Sequence, residues 1–306
     1  MRKKITSLVL VASLSTTLFA CGNNGDDTTT KATNQTENTT TETTVETTTV
    51  EETTTMEDTT TSDYSGDYTE FSTEFVGYGC GARKTDDGRN EGAVYCENKY
   101  GQYQVEFLKE NEKVIYLTFD EGYENGYTPA ILDTLKEKNV KAVFFCTMDF
   151  VKSEPDLVRR IIDEGHVLGS HSVSHKSMPK LSVEEQKKEI MELHTYVQEN
   201  FGYTMYLFRP PMGEFSEQSL AVTADLGYTS VLWSFAHLDY DVNNQPSKEE
   251  AYNTMVERLS KGAIYLLHAV SSANTEALGD FIDKAREEGY EFKEYTRDTL
   301  KDNFSR

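Results

Sequence analysis

From Val114 onward, short apolar runs alternate with segments in which apolar residues recur every three or four positions. Residues 114–119, 142–146, 166–169, 205–208, 229–233, 263–267 and 290–292 are short, rich in β-branched and aromatic side chains, and read as strands. Helical patterns fill the gaps. One opens at Ser153 with Pro155 in its first turn, sets Leu157, Val158, Ile161 and Ile162 on one face, and stops at Gly165. Ser182-x-x-Glu185 and Ser247-x-x-Glu250 have the spacing of capping boxes and open two more, the first carrying Ile190, Leu193 and Val197. Another runs from near Ser216 to Gly227, and one lined by Leu278, Phe281, Ile282 and Ala285 ends at Gly289; residues 129–138 supply the sixth. Seven strands separated by six helices require parallel strands with right-handed crossovers, in an open doubly wound sheet or a barrel. Periodicity does not choose between these, but in both the chemistry gathers at the C-terminal ends of the strands.

The chain before Val114 obeys other rules. Arg2, Lys3 and Lys4 precede an apolar run over residues 5–20 that is short and interrupted by Ser and Thr, which reads as a signal peptide, residues 1–20, rather than a spanning helix. It ends in Leu18-Phe19-Ala20-Cys21, which resembles a bacterial lipoprotein box. The resemblance implies a lipid on the Cys21 thiol and hence attachment to the membrane of an exported protein facing the cell wall; plain cleavage near Ala20 is the alternative. Residues 21–75 read as a disordered tether. Between residues 28 and 61, 19 of 34 residues are Thr, too little apolar surface to offset chain entropy, and the whole segment carries 13 acids against one Lys. The net charge of −22 argues against a nucleic-acid partner. Residues 76–113 form a lead-in with Cys80 and Cys96, for which export makes a disulfide the expectation, while Cys146 reads as a buried strand residue. Residues 114–306 are the patterned domain, expected to act as a monomer.

Polar residues at the strand ends carry the candidate chemistry. Asp120-Glu121-Gly122 places two adjacent carboxylates where an apolar strand gives way, a costly arrangement unless they are paired or metal-bound. His171 and His175 stand four apart, can face one side of a helical turn, and offer two imidazole nitrogens to a divalent metal, although such a pair alone is more often surface decoration. In Arg209-Pro210-Pro211 two prolines fix the backbone and the arginine can clamp a carboxylate. His268 follows an apolar run, where a histidine is as often a satisfied core residue as a catalyst. His166 and His194 read as structural, His237 as an even choice between groove and core, and Trp233 as core. Four such signals at strand ends suit amide hydrolysis. A divalent ion held by imidazoles polarises the carbonyl and acidifies water, a carboxylate takes the water's proton, and a histidine protonates the departing amine.

These residues resemble the motifs of the NodB-type polysaccharide deacetylases over roughly residues 112–300. The resemblance implies an α/β fold, a distorted (β/α)7 barrel behind a disordered tether. It implies Asp120 as catalytic base in Thr118-Phe119-Asp120-Glu121-Gly122, with Glu121 replacing the usual aspartate metal ligand. It implies His171 and His175 as ligands of zinc or another transition metal, Arg209 as the holder of Asp120, and His268 in Leu266-Leu267-His268 as general acid. The fourth motif, usually D-x-x-D-W, reads Ala236-His237-Leu238-Asp239-Tyr240 and lacks its first acid. That departure, with Gly122-Tyr123-Glu124-Asn125-Gly126-Tyr127-Thr128 and His268-Ala269-Val270-Ser271, is similar to the delta-lactam-biosynthetic de-N-acetylase branch. The branch implies peptidoglycan glycan strands as the polymer and N-acetylmuramic acid as the sugar. The competing expectations are a wall-binding lipoprotein that has lost catalysis and a deacetylase or esterase of chitin-type or acetylated xylan chains.

Overall fold

The computed structural model describes residues 66–300; the expected signal peptide, Cys21 and the tether as far as residue 65 lie outside the described residues. Three elements precede the patterned region: β1 (Val76–Gly77), α1 (Glu91–Tyr100), capped by the Asn90 side chain, and β2 (Val105–Glu106). Then come β3 (Val114–Glu121), buried throughout, α2 (Thr128–Glu137) and β4 (Ala142–Cys146). The helix expected to open at Ser153 is α4 (Pro155–Asp163), and a further short helix, α3 (Met148–Ser153), precedes it. Pro155 causes the break: the residue before a proline is driven out of helical geometry, and Glu154 takes φ −122° and ψ 52°. β5 (Val167–Ser170) leads to α5 (Val183–Phe201), whose Ser182–Glu185 capping box forms as expected. β6 (Leu207–Phe208) and β7 (Glu214–Phe215) flank a tight turn. The order then runs α6 (Glu217–Asp225), capped by Ser216, β8 (Thr229–Val231), α7 (Lys248–Glu257), capped by Ser247, β9 (Ala263–His268), α8 (Ser272–Glu287) and β10 (Glu291–Phe292).

The main sheet is parallel, and its strands are added in chain order from β3 through β4, β5 and β6 to β8. A doubly wound sheet would reverse direction at a switch point; this one instead curls, with β9 on β3 and the chain beyond β8 bridging back to β9 at Phe235 and Tyr265. Among the described residues a single bridge, not a paired strand, joins these two stretches. Ser234 secures it, accepting from the Ile264 amide through its hydroxyl while its own N–H donates to the Ile264 carbonyl. β10 takes the first residues of β3, pairing Glu291 with Val114. Val114, Tyr116, Val143, Phe145, Leu207, Val231 and Ile264 form one buried cluster, and the alternate strand residues Ile115, Leu117, Phe119 and Phe144 pack into a larger one with the helices.

The lead-in belongs to the barrel rather than to a separate segment. β2 pairs in parallel with β8, β1 pairs antiparallel with β7, and the Tyr78 hydroxyl donates to the Trp233 carbonyl at 2.6 Å. Order also begins before residue 76: Tyr68 is buried, and the Gln218 amide donates to the Ser72 carbonyl. Cys80 and Cys96 are free thiols, not the expected disulfide, and Cys146 is a buried strand residue as expected.

Candidate active site

Strand register brings the expected residues to one rim. Asp120 stands opposite His268 in the β3–β9 pairing. Ser170 pairs with Phe208, so the next residues, His171 and Arg209, leave adjacent strands side by side. Arg209 is fully buried and spends its guanidinium on three acceptors: Asp120 Oδ1 at 2.7 Å, the Val231 carbonyl at 3.0 Å and the Leu232 carbonyl at 3.2 Å. Its face lies 4.2 Å from the centre of the Phe145 ring. Burial alone would raise the Asp120 carboxyl, but Arg209, helped by His171 and His268, outweighs it and holds the group below the ordinary carboxylate range. Asp120 is therefore ionised, with Oδ1 tied down and Oδ2 facing His171.

His171 Nδ1 lies 2.9 Å from the Arg209 carbonyl, which can only accept, so the proton sits on Nδ1 and Nε2 presents a lone pair 3.5 Å from Asp120 Oδ2. Burial pushes this imidazole down to about 4, keeping it neutral. His175 lies edge-on, its ring centre 4.7 Å from that of His171, and burial lowers it too. The two are presented by a tight turn rather than by the expected helical turn. Ser172 and His175 both take positive φ, and the Ser172 hydroxyl accepts from the His175 amide at 2.9 Å. Glu189 of α5 braces the turn through the Ser174 amide at 2.8 Å.

On the opposite side, His268 Nδ1–H donates to Asp239 Oδ1 at 2.7 Å, and the His268 amide donates to Asp239 Oδ2 at 2.9 Å. Burial disfavours charge on this ring, but the hydrogen bond and charge of Asp239 outweigh it, and the His268 pKa is raised. The Asn274 amide donates to the same Asp239 Oδ2, while Asn274 Oδ1 faces His237 Nε2 at 2.9 Å. Asp239 and Asn274 are the functional residues that the sequence reading left without a role. Asp239 stands in the fourth motif and was visible; Asn274 carries no motif signal.

Glu121 departs from expectation. It is wholly buried, its side chain does not line the groove, Oε1 meets the Thr128 hydroxyl at 3.5 Å, and Oε2 has no hydrogen-bond partner. Burial, with Glu124 and Asp120 adding, raises its pKa well above the ordinary value, so it is a neutral acid facing away from the two imidazoles. The two neutral imidazoles fit a divalent transition metal, with ionised Asp120 beside them as a countercharge. Among the described residues no three His, Cys, Asp or Glu side chains are gathered into a complete ligand set, so solvent or substrate would supply the rest.

The rim opens into a groove of about 1260 Å³ lined by Asp120, His171, His175, Met212, Trp233, His237, Tyr240, Arg258 and His268. Leu238, Tyr240 and Met212 are half or more exposed along it. His237 thus faces the groove, and Trp233, although buried, forms part of its wall. Gly213 is required there: its φ is +67° and a Cβ would meet Trp233 at 2.6 Å. His166 and His194 are structural, engaging the Ala142 amide and the Tyr228 hydroxyl.

Comparison with known proteins agrees with this geometry. The family model described as polysaccharide deacetylase matches residues 108–231. The peptidoglycan-N-acetylmuramic acid deacetylase PdaA of Bacillus subtilis is 46% identical over 183 residues, covering 60% of this chain and 70% of that protein. A peptidoglycan-N-acetylglucosamine deacetylase of Bacillus cereus is 32% identical over 174 residues, covering 57% and 62%. The structure of Bacillus subtilis PdaA, a family 4 carbohydrate esterase, superposes with a TM-score of 0.69 at 40% identity, over 72% of this chain and 95% of that one. With the Asp120–Arg209 pair and His268 in register on a curled parallel sheet, the chain belongs to the polysaccharide deacetylase family and is a deacetylase of the hydrolase class.

Proposed function

We propose that this enzyme removes the N-acetyl group of N-acetylmuramic acid in peptidoglycan glycan strands, in preference to chitin-type chains. The observation that carries the hydrolytic part is Asp120 held ionised by buried Arg209 directly opposite His268. Asp120 accepts a proton from water as oxygen adds to the acetyl carbon; Arg209 keeps Oδ1 in place so that the proton goes to Oδ2. His268, oriented by Asp239, gives its proton to the sugar nitrogen as the carbon–nitrogen bond breaks, and acetate and the amine leave. When bound at His171 and His175, a divalent metal supplies Lewis-acid polarisation of the acetyl carbonyl.

The sugar choice draws support from the likeness to the Bacillus subtilis muramic acid deacetylase. Deacetylation there leaves an amine beside the lactyl carboxyl, and attack of that amine on the carboxyl carbon with loss of water would close a delta-lactam. Peptide-free strands are the preferred form, because a stem peptide occupies that carboxyl. A lipid on Cys21 and an acidic tether would hold the barrel at the membrane facing the wall, within reach of this polymer. The test is a competition between peptide-free muramic strands and chitin oligomers, read as acetate released. Faster release from the muramic strands is expected; equal or faster release from chitin overturns the substrate while leaving the deacetylase class intact.

A further inference from the structure

We infer that Arg258 is a carboxylate subsite in the groove and reads the lactyl carboxylate of the muramic residue; this rests on the substrate proposed above and names the residue that would select it. Arg258 caps the C-terminal end of α7, half-buried, and is the one lysine or arginine among the described residues that line the groove. Its Nη1 donates to the Ala236 carbonyl at 3.2 Å, and among the described residues no acid forms an ion pair with it. A guanidinium presents several N–H donors in a planar fork suited to a carboxylate. One donor fixes this fork at the wall, and the rest are left for a ligand.

The neighbourhood says which sign of ligand. Residue 236, whose carbonyl anchors the guanidinium, is Ala, and Glu250, the acid of α7 that also lines the groove, accepts instead from the Ser247 amide and hydroxyl. The described residues 66–300 hold 41 acids against 24 bases, so the protein at large repels an anionic glycan. Beside His268, whose proton the reaction uses, Arg258 is the one permanent cation among the described residues that line the groove, and it discriminates for charge at one point. The substrate carries one there. The lactyl ether sits on the ring carbon next to the one bearing the acetamido group, so a sugar with its acetamido at Asp120 and His268 carries the carboxylate close by, and Arg258 lines the same groove. Joining a stem peptide converts it to an uncharged amide, and Arg258 thereby supplies a physical reason for choosing peptide-free strands.

The test compares acetate release from peptide-free muramic strands with release from the same strands after their lactyl carboxyls are converted to methylamides. The wild-type chain is expected to favour the free carboxylate by about tenfold to a hundredfold in KM, the range of a hydrogen-bonded charge pair. Arg258→Gln is expected to abolish that ratio by raising KM for the free-carboxyl strands, with kcat changed much less, and Arg258→Lys to restore part of it. Ala236→Asp leaves the arginine in place but gives it an internal partner, and is expected to lose the ratio as well; it decides the matter if Arg258→Gln does not fold. A wild-type ratio retained in Arg258→Gln, or in a folded Ala236→Asp, overturns the inference even if muramic strands remain the better substrate. A wild-type enzyme that works faster on chitin than on either muramic form overturns the substrate reading and this inference with it.

Discussion

Asp120 has two oxygens with different duties, one bonded to Arg209 and one free toward His171. Asp120→Asn keeps the shape and removes the base. It is expected to cost about 10²–10⁴ in kcat, while zinc uptake by dialysed protein stays close to wild type because His171 and His175 are untouched; a parallel loss of zinc would make Asp120 a ligand instead. His268 gives the pH dependence. Asp239 holds its pKa above the ordinary histidine value, so the protonated acid survives into higher pH and is lost as pH rises through that raised value. Asp239→Asn removes the cause, and the alkaline limb of the kcat profile is expected to move to lower pH. An unmoved limb would mean that another group limits the rate. Asp120, His171, Arg209 and His268 were legible because each is a polar residue where an apolar strand ends, and His175 because it follows His171 at a metal-ligand spacing. Glu121 holds the motif's ligand position, but neighbours on a strand face opposite sides, so a groove-facing Asp120 sends Glu121 away. Glu121→Gln, neutral like the buried acid, is therefore expected to leave zinc affinity within about threefold of wild type, as checked by titration; a large loss would return Glu121 to the ligand set.

Elements were legible in proportion to their length and their caps. Ser182 and Ser247 form the capping boxes that their spacing announced, and Ser216 caps α6 where the pattern placed a start. Of the two-residue strands, β6 and β10 lie in apolar runs that read as strands, whereas β1, β2 and β7 lie in none, and α1 lacks a clear apolar stripe, with only Ala93 and Tyr100 buried. The curl of the sheet was legible only through the motif resemblance, which implied a distorted barrel, and not from periodicity. The Phe235–Tyr265 bridge is a contact between irregular chain and strand that no local pattern encodes. Ser216 deserves the element-scale test, since it is nearly fully buried and its hydroxyl accepts from the Ser219 amide at 3.1 Å. Ser216→Ala is expected to cost about 1 kcal/mol, seen as a fall of roughly 2–4 °C in Tm. No change in a melting curve would mean that the Ser219 hydroxyl, which meets the Ser216 amide, holds the turn alone.

At the scale of the molecule, the decisive finding is where the folding unit begins. The pattern suggested a domain opening at Val114, yet the segment before it supplies a strand to the sheet and part of the groove wall at Cys80. Val105, Phe107 and Leu108 are almost completely buried, and with Tyr78 and Tyr100 they pack against Phe215, Leu232 and Trp233. Burying each such side chain is worth about 1.5–3 kcal/mol, so together they rival the roughly 5–15 kcal/mol by which a domain is stable. The same segment also brings a buried ion pair. Lys109 Nζ lies 3.0 Å from both oxygens of Glu106, which also accepts from the Tyr295 hydroxyl, a contact made to the far end of the chain. Removing the segment would expose Leu232 and Trp233, free one edge of β8 and leave Tyr295 without its buried acceptor. A chain of residues 66–306 is thus expected to unfold in urea as one cooperative transition, whereas a chain of residues 114–306 shows none and releases no acetate. A shared midpoint for the two would mean that the lead-in is an appendage and that the barrel is complete without it.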